Sequence, residues 1–160
     1  AMEQELKYAR ILVPVDGSRE SLCAVRLAGE MARVMHATAY LLYVSPFDKC
    51  TDEGEVAWLP ESVVRPAAEE AHEIFSASTA LLPDAVISER VHRTGAPTDE
   101  ILRFIDEESI DLVVIGGRKL SRMSGFLLGS VTQTVLEHAH SSVMVAGSAD
   151  SLLYGSCSVK

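Results

Sequence analysis

The chain alternates short runs of apolar residues with longer segments in which apolar residues recur every three or four positions. Continuous apolar runs are typical of strands buried on both faces of a parallel sheet, whereas the longer spacing is typical of amphipathic helices. Polar residues within the third run indicate that this strand lies at an edge of the sheet. The runs predict strands at residues 10–15, 38–44, 85–92, 112–115 and 142–146. The helical spacing predicts helices at residues 18–36, 61–82 and 99–108, and a fourth that begins at residues 129–130.

Strands and helices that alternate along a chain predict an α/β fold, here a single doubly wound, Rossmann-like parallel sheet of five strands with right-handed crossovers. In such a fold a ligand binds outside the carboxyl ends of the strands, at the point where the strand order reverses. The first strand ends on Val15, Asp16 and Gly17, and the fourth ends on Gly116 and Gly117. We therefore expect the reversal, and a ligand site, between the first and fourth strands.

Length and composition narrow the class of protein. A chain of 160 residues is most simply one domain, which we place at residues 8–147 with tails at 1–7 and 148–160 and a polar flap or connection at 46–60. The net charge of −9 argues against nucleic acid or anionic membranes as main partners. No apolar run approaches the roughly 20 residues of a membrane span. The acidic N-terminus is not a signal peptide, and three scattered cysteines predict a reduced, cytoplasmic setting.

The stretch from residue 111 to residue 138 has the pattern of an anion site. A buried strand ends on Gly116, and after a loop Gly129 and Ser130 open a helix. The N–H groups at the start of a helix have no intrahelical partner, and the helix dipole is positive there, so both favour an anion. We expect the inner face of this helix to be formed by Val131, Val135 and Leu136.

Charge supports the same interpretation. No acidic residue lies between Asp111 and Glu137, although the protein as a whole is acidic. The gap contains three cations, Arg118, Lys119 and Arg122. An acidic protein that keeps one loop positive is expected to hold an anion there, and a solvated surface loop is the alternative.

Other candidate chemistry is weaker. Asp16 fits a ribose or metal contact at a strand end, or a carboxylate that the helix dipole favours. His138 and His140 have the spacing of a metal pair, but no third ligand is near them in the sequence, so we predict no metal site. No GxSxG, HExxH or GxxxxGK[ST] motif occurs, which disfavours a triad hydrolase, a zinc protease and a Walker-type NTPase. We predict no catalytic residue.

Three stretches resemble the universal stress protein family, over residues 8–147: ILVPVDGS, GAPTDEIL, and LLGSVTQTVL followed by SSVMVA. ATP-binding members of that family carry a glycine, two residues, a second glycine, nine residues, and then glycine with Ser or Thr. In this chain Gly116 fills the first position, and Gly129 and Ser130 fill the last two at the same distance. Lys119 stands in the place of the second glycine.

The resemblance implies a strand order of 3-2-1-4-5 and a homodimer paired through the fifth strand, Ser142 to Ala146. It implies ATP or another adenine nucleotide as ligand, with Mg²⁺ as an accompanying ion, the adenine near Val15, Asp16 and Val44, and the phosphates at the glycine loop. The cofactor-binding residues that it implies are Pro14, Val15, Asp16, Val44, Ile115, Gly116, Lys119, Gly129, Ser130 and Val131.

Lys119 leaves two functions in competition. A left-handed backbone would cost lysine about 1–2 kcal/mol, and its side chain could block a phosphate; alternatively, its ammonium group could bind the phosphates. The leading hypothesis is a dimeric stress-response module with an adenine nucleotide as regulatory ligand. The second is a nucleotide-free dimer with a degenerate site that acts on an unknown protein partner. An enzyme with weak ATPase activity is the least supported, because the loop offers no poised base.

Overall fold

The computed structural model describes residues 7–45, 61–117 and 129–147, with the backbone alone for residues 61–67. The predicted flap at 46–60, the cationic loop with Lys119, and the two predicted tails, apart from Lys7, lie outside the described residues. The strands are β1 Arg10–Pro14, β2 Thr38–Ser45, β3 Ser88–Thr94, β4 Leu112–Gly116 and β5 Ser142–Ala146. The helices are α1 Arg19–Met35, α2 Glu61–Thr79, α3 Pro97–Glu107 and α4 Ser130–His138.

The five strands form one parallel sheet in the order β3-β2-β1-β4-β5. This confirms the predicted fold class, the strand order and the edge position of the third strand. The order reverses between β1 and β4, as the strand ends predicted, because β1 pairs with β2 on one side and with β4 on the other. A crevice therefore opens where the chain leaves these two strands in opposite directions.

The third strand begins later in the chain than its apolar pattern indicated. It starts at Ser88 rather than at residue 85, and α2 ends at Thr79 rather than at residue 82. A turn occupies the intervening residues, in which the N–H of Val86 donates to the carbonyl oxygen of Pro83 at 3.0 Å. Apolar residues in such a turn pack on the sheet without joining it, so their pattern alone cannot place the strand boundary.

Helices cover both faces of the sheet. On one face α1 and α2 pack against inward residues of the strands, and Ala28, Ala32 and Phe75 are buried there. On the other face α3 and α4 contribute Ile101, Phe104, Ile105 and Val135 to a second buried cluster. Within the described residues no helix is long and apolar enough to cross a bilayer.

The inner face of α4 differs from the expectation at one position. Val135 is fully buried and Val131 packs against the same cluster, as predicted, but Leu136 is 40% exposed. The polar Thr132 is buried in its place, with 4% of its surface accessible. Burial of a hydroxyl group requires a hydrogen-bond partner, and Thr132 finds one at the end of β4.

Candidate functional site

A cavity of about 300 Å³ lies at the carboxyl ends of β1 and β4, where the strand order reverses. Its lining includes nine of the ten residues that the sequence predicted, and the tenth, Lys119, lies outside the described residues. The nine are Pro14, Val15, Asp16, Val44, Ile115, Gly116, Gly129, Ser130 and Val131. The fold thus brings together residues that are more than a hundred positions apart in the sequence, while their part in ligand binding stays a prediction.

The turn after β1 contributes part of the cavity lining. The N–H of Val15 donates to the carbonyl oxygen of Leu42 at 2.8 Å, which holds β1 beside β2 one residue beyond Pro14. The side chain of Asp16 is exposed, and its Oδ1 accepts a hydrogen bond from the N–H of Ser18 at 2.9 Å. Gly17 has a φ of +79°, a conformation that glycine adopts readily. The Asp16 carboxylate is therefore held at the mouth of the cavity.

Gly116 is required by packing. A Cβ atom at this position would lie 2.5 Å from the backbone carbonyl carbon of Glu20 and 2.6 Å from its oxygen. The first turn of α1 therefore rests directly on the end of β4. The carbonyl oxygen of Gly116 accepts a hydrogen bond from Oγ1 of Thr132 at 3.0 Å, which fixes α4 to the same strand end. This glycine brings the starts of two helices together at the cavity.

Gly129 has no such structural requirement among the described residues. It occupies the N-cap position of α4 with φ −59° and ψ 157°, a conformation open to any residue, and no described atom lies within 4 Å of a Cβ placed there. Ser130 is the first residue of the helix rather than its cap, and no side-chain hydrogen bond caps α4 in the described part of the chain. The first N–H groups of α4 thus lack the cap that α1 receives from Ser18.

The remaining lining of the cavity contains both apolar and polar residues and comes partly from elements that the sequence did not single out. Pro97 and Ile101, at the start of α3, contribute apolar surface to the lining. Both residues belong to the GAPTDEIL stretch, which resembles the family. Nothing in the pattern of that stretch indicates that it contributes to the ligand site. Five further lining residues were not predicted: Ser18, Glu20, Ser21, Leu42 and Thr132.

The described lining carries two carboxylates, Asp16 and Glu20, and no lysine, arginine or histidine.

The pKa of Tyr43, a residue of β2 near the cavity, is shifted. Burial raises the pKa of the Tyr43 phenol above its ordinary value of 10.0; the charge of Glu70 and a hydrogen bond to it raise that pKa further, and Asp16 adds to the effect. Tyr43 therefore stays protonated at neutral pH and donates to Glu70.

Metal-ligating residues do not cluster in the described ranges. Within residues 7–45, 61–117 and 129–147 no group of three His, Cys, Asp or Glu side chains is placed to hold a metal ion. His138 ends α4 with its ring 3.9 Å from Glu137, and Nδ1 of His140 lies 3.1 Å from Oδ1 of Asp106. Both imidazoles thus lie beside carboxylates at the surface.

The family model of the universal stress protein family matches residues 7–147 of this chain. The chain belongs to the universal stress protein family. A universal stress protein of Mycobacterium tuberculosis is 32% identical over 149 residues, which cover 86% of this chain and 95% of that protein. One of Methanocaldococcus jannaschii is 31% identical over 144 residues, which cover 86% of this chain and 81% of that protein.

Solved universal stress proteins share the fold. The structure of the protein from Lactobacillus plantarum superposes with a TM-score of 0.69 at 25% identity, covering 88% of this chain and 98% of that one. A universal stress protein solved in complex with cAMP superposes with a TM-score of 0.62 at 28% identity, again covering 88% and 98% of the two chains. The family relationship thus extends over nearly all of the described residues.

Proposed function

We propose that this universal stress protein binds ATP or a related adenine nucleotide in the cavity between β1 and β4 and uses it as a regulatory ligand. The observation that carries the proposal is the composition of the cavity: apolar residues from the strands and α3, and the start of α4, which no described side chain caps. A nucleotide has the same division, because its base is largely apolar and its phosphates are anionic. The cAMP bound by a solved relative supports an adenine nucleotide as the ligand class.

The two ends of the ligand would be held by different forces. Val15, Val44 and Ile101 are buried and would pack against the faces of the adenine ring. The exposed carboxylate of Asp16 accepts no hydrogen bond on its second oxygen from a described residue, so that oxygen could accept one from a ribose hydroxyl or the adenine amino group. The phosphates would lie at Gly129 and Ser130, where N–H groups at the start of α4 donate to anions.

An accompanying Mg²⁺ would arrive as part of the nucleotide complex. The described residues hold no ready group of three ligands, so phosphate oxygens and water would supply most of the coordination. Among the described lining residues, the exposed carboxylate of Asp16 could contribute to it.

The nucleotide proposal is tested first on the protein as purified. Mass spectrometry of the denatured protein should find an adenine nucleotide, and calorimetry on the stripped protein should show saturable binding of ATP and AMP. Absence of co-purified nucleotide, together with no heat and no thermal shift on adding ATP, AMP or cAMP, would refute the proposal. That result would support the alternative, a nucleotide-free module that acts through a protein partner.

The substitution Lys119→Gly separates the two hypotheses for the one position of the family's glycine pattern that this chain does not keep. If Lys119 binds the phosphates, the variant should bind ATP more weakly while its affinity for adenosine is unchanged, because only a charge-assisted contact is lost. Stronger ATP binding by the variant would show that the lysine obstructs the site. The matched control is Lys7→Gly, which removes a lysine before the start of β1. Arg26→Gly would not serve as a control, because Arg26 lies within α1.

We also propose that β5 mediates a homodimer. Among the described strands β5 pairs with β4 alone, and its central residues Val143, Met144 and Val145 are only partly buried. An apolar edge strand invites pairing with a second chain. The exposed Leu136 on α4, which packs beside β5, adds apolar surface to the same side of the molecule.

A further inference from the structure

We propose that Glu20 determines how many phosphate charges the ligand may carry, so that the site favours a nucleotide with few phosphate charges over ATP. The inference rests on the nucleotide site proposed above and concerns its specificity. Glu20 is the second residue of α1 and lines the cavity, yet the family resemblance did not include it.

The backbone of Glu20 is fixed beside the expected phosphate position. Its carbonyl group and Cβ lie against Gly116, so close that a Cβ on the glycine would be 2.9 Å from the Cβ of Glu20. Thr132 of α4 donates a hydrogen bond to the carbonyl oxygen of the same Gly116. Glu20 and the first turn of α4 therefore meet at one strand end, and Glu20 is one of the residues that line the cavity there.

The charge of Glu20 is not neutralised by a described neighbour. Glu30, Glu100 and Glu108 each form an ion pair with an arginine, whereas no ion pair of Glu20 occurs among the described residues. Nor does the described lining contain a cation that could pair with it. A ligand phosphate at this strand end would be repelled by the carboxylate, and each additional negative charge on the ligand would increase the repulsion.

A helix-dipole role is the simpler explanation of this residue. Glu20 lies in the first turn of α1, where the dipole favours an acidic side chain. That role would affect stability slightly and would be the same for every ligand. A specificity role predicts a different result, because the change in affinity on removing the charge of Glu20 must grow with the charge of the nucleotide.

The test uses Glu20→Gln, which preserves the shape of the side chain and removes its charge. Calorimetric titration with adenosine, AMP and ATP should show unchanged adenosine affinity and stronger AMP binding. ATP binding should improve most, by roughly three- to tenfold, because ATP carries the most negative charge and charges near one another in a partly hydrated site still repel. The matched control is Glu30→Gln, which removes the same charge from α1 about three turns away and should leave all three affinities unchanged.

The outcomes separate this inference from the proposed function. If the wild-type protein binds none of the three ligands, the nucleotide site itself is refuted. If it binds them but Glu20→Gln alters all three equally or not at all, only the specificity role is refuted. Weaker binding of ATP in the presence of Mg²⁺ by the variant would also overturn it, because the carboxylate would then assist the metal complex rather than repel the phosphates.

Discussion

The two glycines of the cavity allow the sharpest test of the structure, because they are predicted to matter for different reasons. Gly116 is needed by packing, since a Cβ there would lie 2.5 Å from a backbone atom of Glu20. Carbon atoms in contact normally stay about 3.5 Å apart or more. The substitution Gly116→Ala would therefore push the start of α1 away from β4 by about 1 Å.

The magnitude follows from what such a shift disrupts. Overpacking of a well-packed site typically costs 1–3 kcal/mol, and backbone offers less relief than a flexible side chain, so we expect about 2–3 kcal/mol for Gly116→Ala. In a domain of this size that corresponds to a melting temperature lower by roughly 5–10 °C. Gly129→Ala should change stability by no more than about 0.5 kcal/mol, because alanine is a poorer N-cap than glycine but restricts the unfolded chain.

Urea unfolding followed by circular dichroism measures both variants, and calorimetry with AMP or ATP measures their binding. We expect Gly116→Ala to be clearly destabilised and Gly129→Ala to be as stable as the wild type but to bind nucleotide at least about tenfold more weakly, since its Cβ would occupy the phosphate position. A Gly116→Ala variant as stable as the wild type would refute the packing argument. A Gly129→Ala variant with wild-type affinity would place the phosphates elsewhere.

Three further predictions concern the sheet and its surroundings. The variant Val143→Lys on β5 should sediment as a monomer and keep the circular dichroism spectrum of the wild type. A wild-type protein that is already monomeric at micromolar concentration would contradict the dimer proposal. The pKa of Tyr43 is raised in the folded state, so the phenol ionises first in the unfolded chain and the free energy of unfolding should fall as the pH rises above 10.0. The variant Tyr43→Phe should lack this alkaline loss of stability and be about 1 kcal/mol less stable at neutral pH. Asp111→Ala should lower the free energy of unfolding in urea by about 1–3 kcal/mol, because Oδ2 of Asp111 accepts hydrogen bonds from the N–H groups of Ala9 and Arg10 at 2.9 Å each. The control Asp106→Ala, at the surface, should lower it little.

The buried strands could be predicted from the sequence because both of their faces are covered. Continuous apolar runs such as Leu112 to Ile115 have few alternatives in an α/β chain, and the turn residues Asp16, Gly17 and Gly116 mark where the strands end. The position of the site followed from the same pattern, since the strand ends and the glycines define it without reference to side-chain contacts.

The side chains that complete the cavity depended on the tertiary structure. Thr132 can be buried because the carbonyl oxygen of Gly116 accepts its hydrogen bond, and no periodic pattern reveals that partner. Ile101 reaches the cavity because α3 packs against β2 and α4, which the sequence pattern does not reveal. Glu20 resembles an ordinary helix-start carboxylate in the sequence, and its place beside Gly116 results from the contact between α1 and β4. Local spacing determines which residues share a face, but the distance between two elements is determined by how the whole sheet and its helices pack.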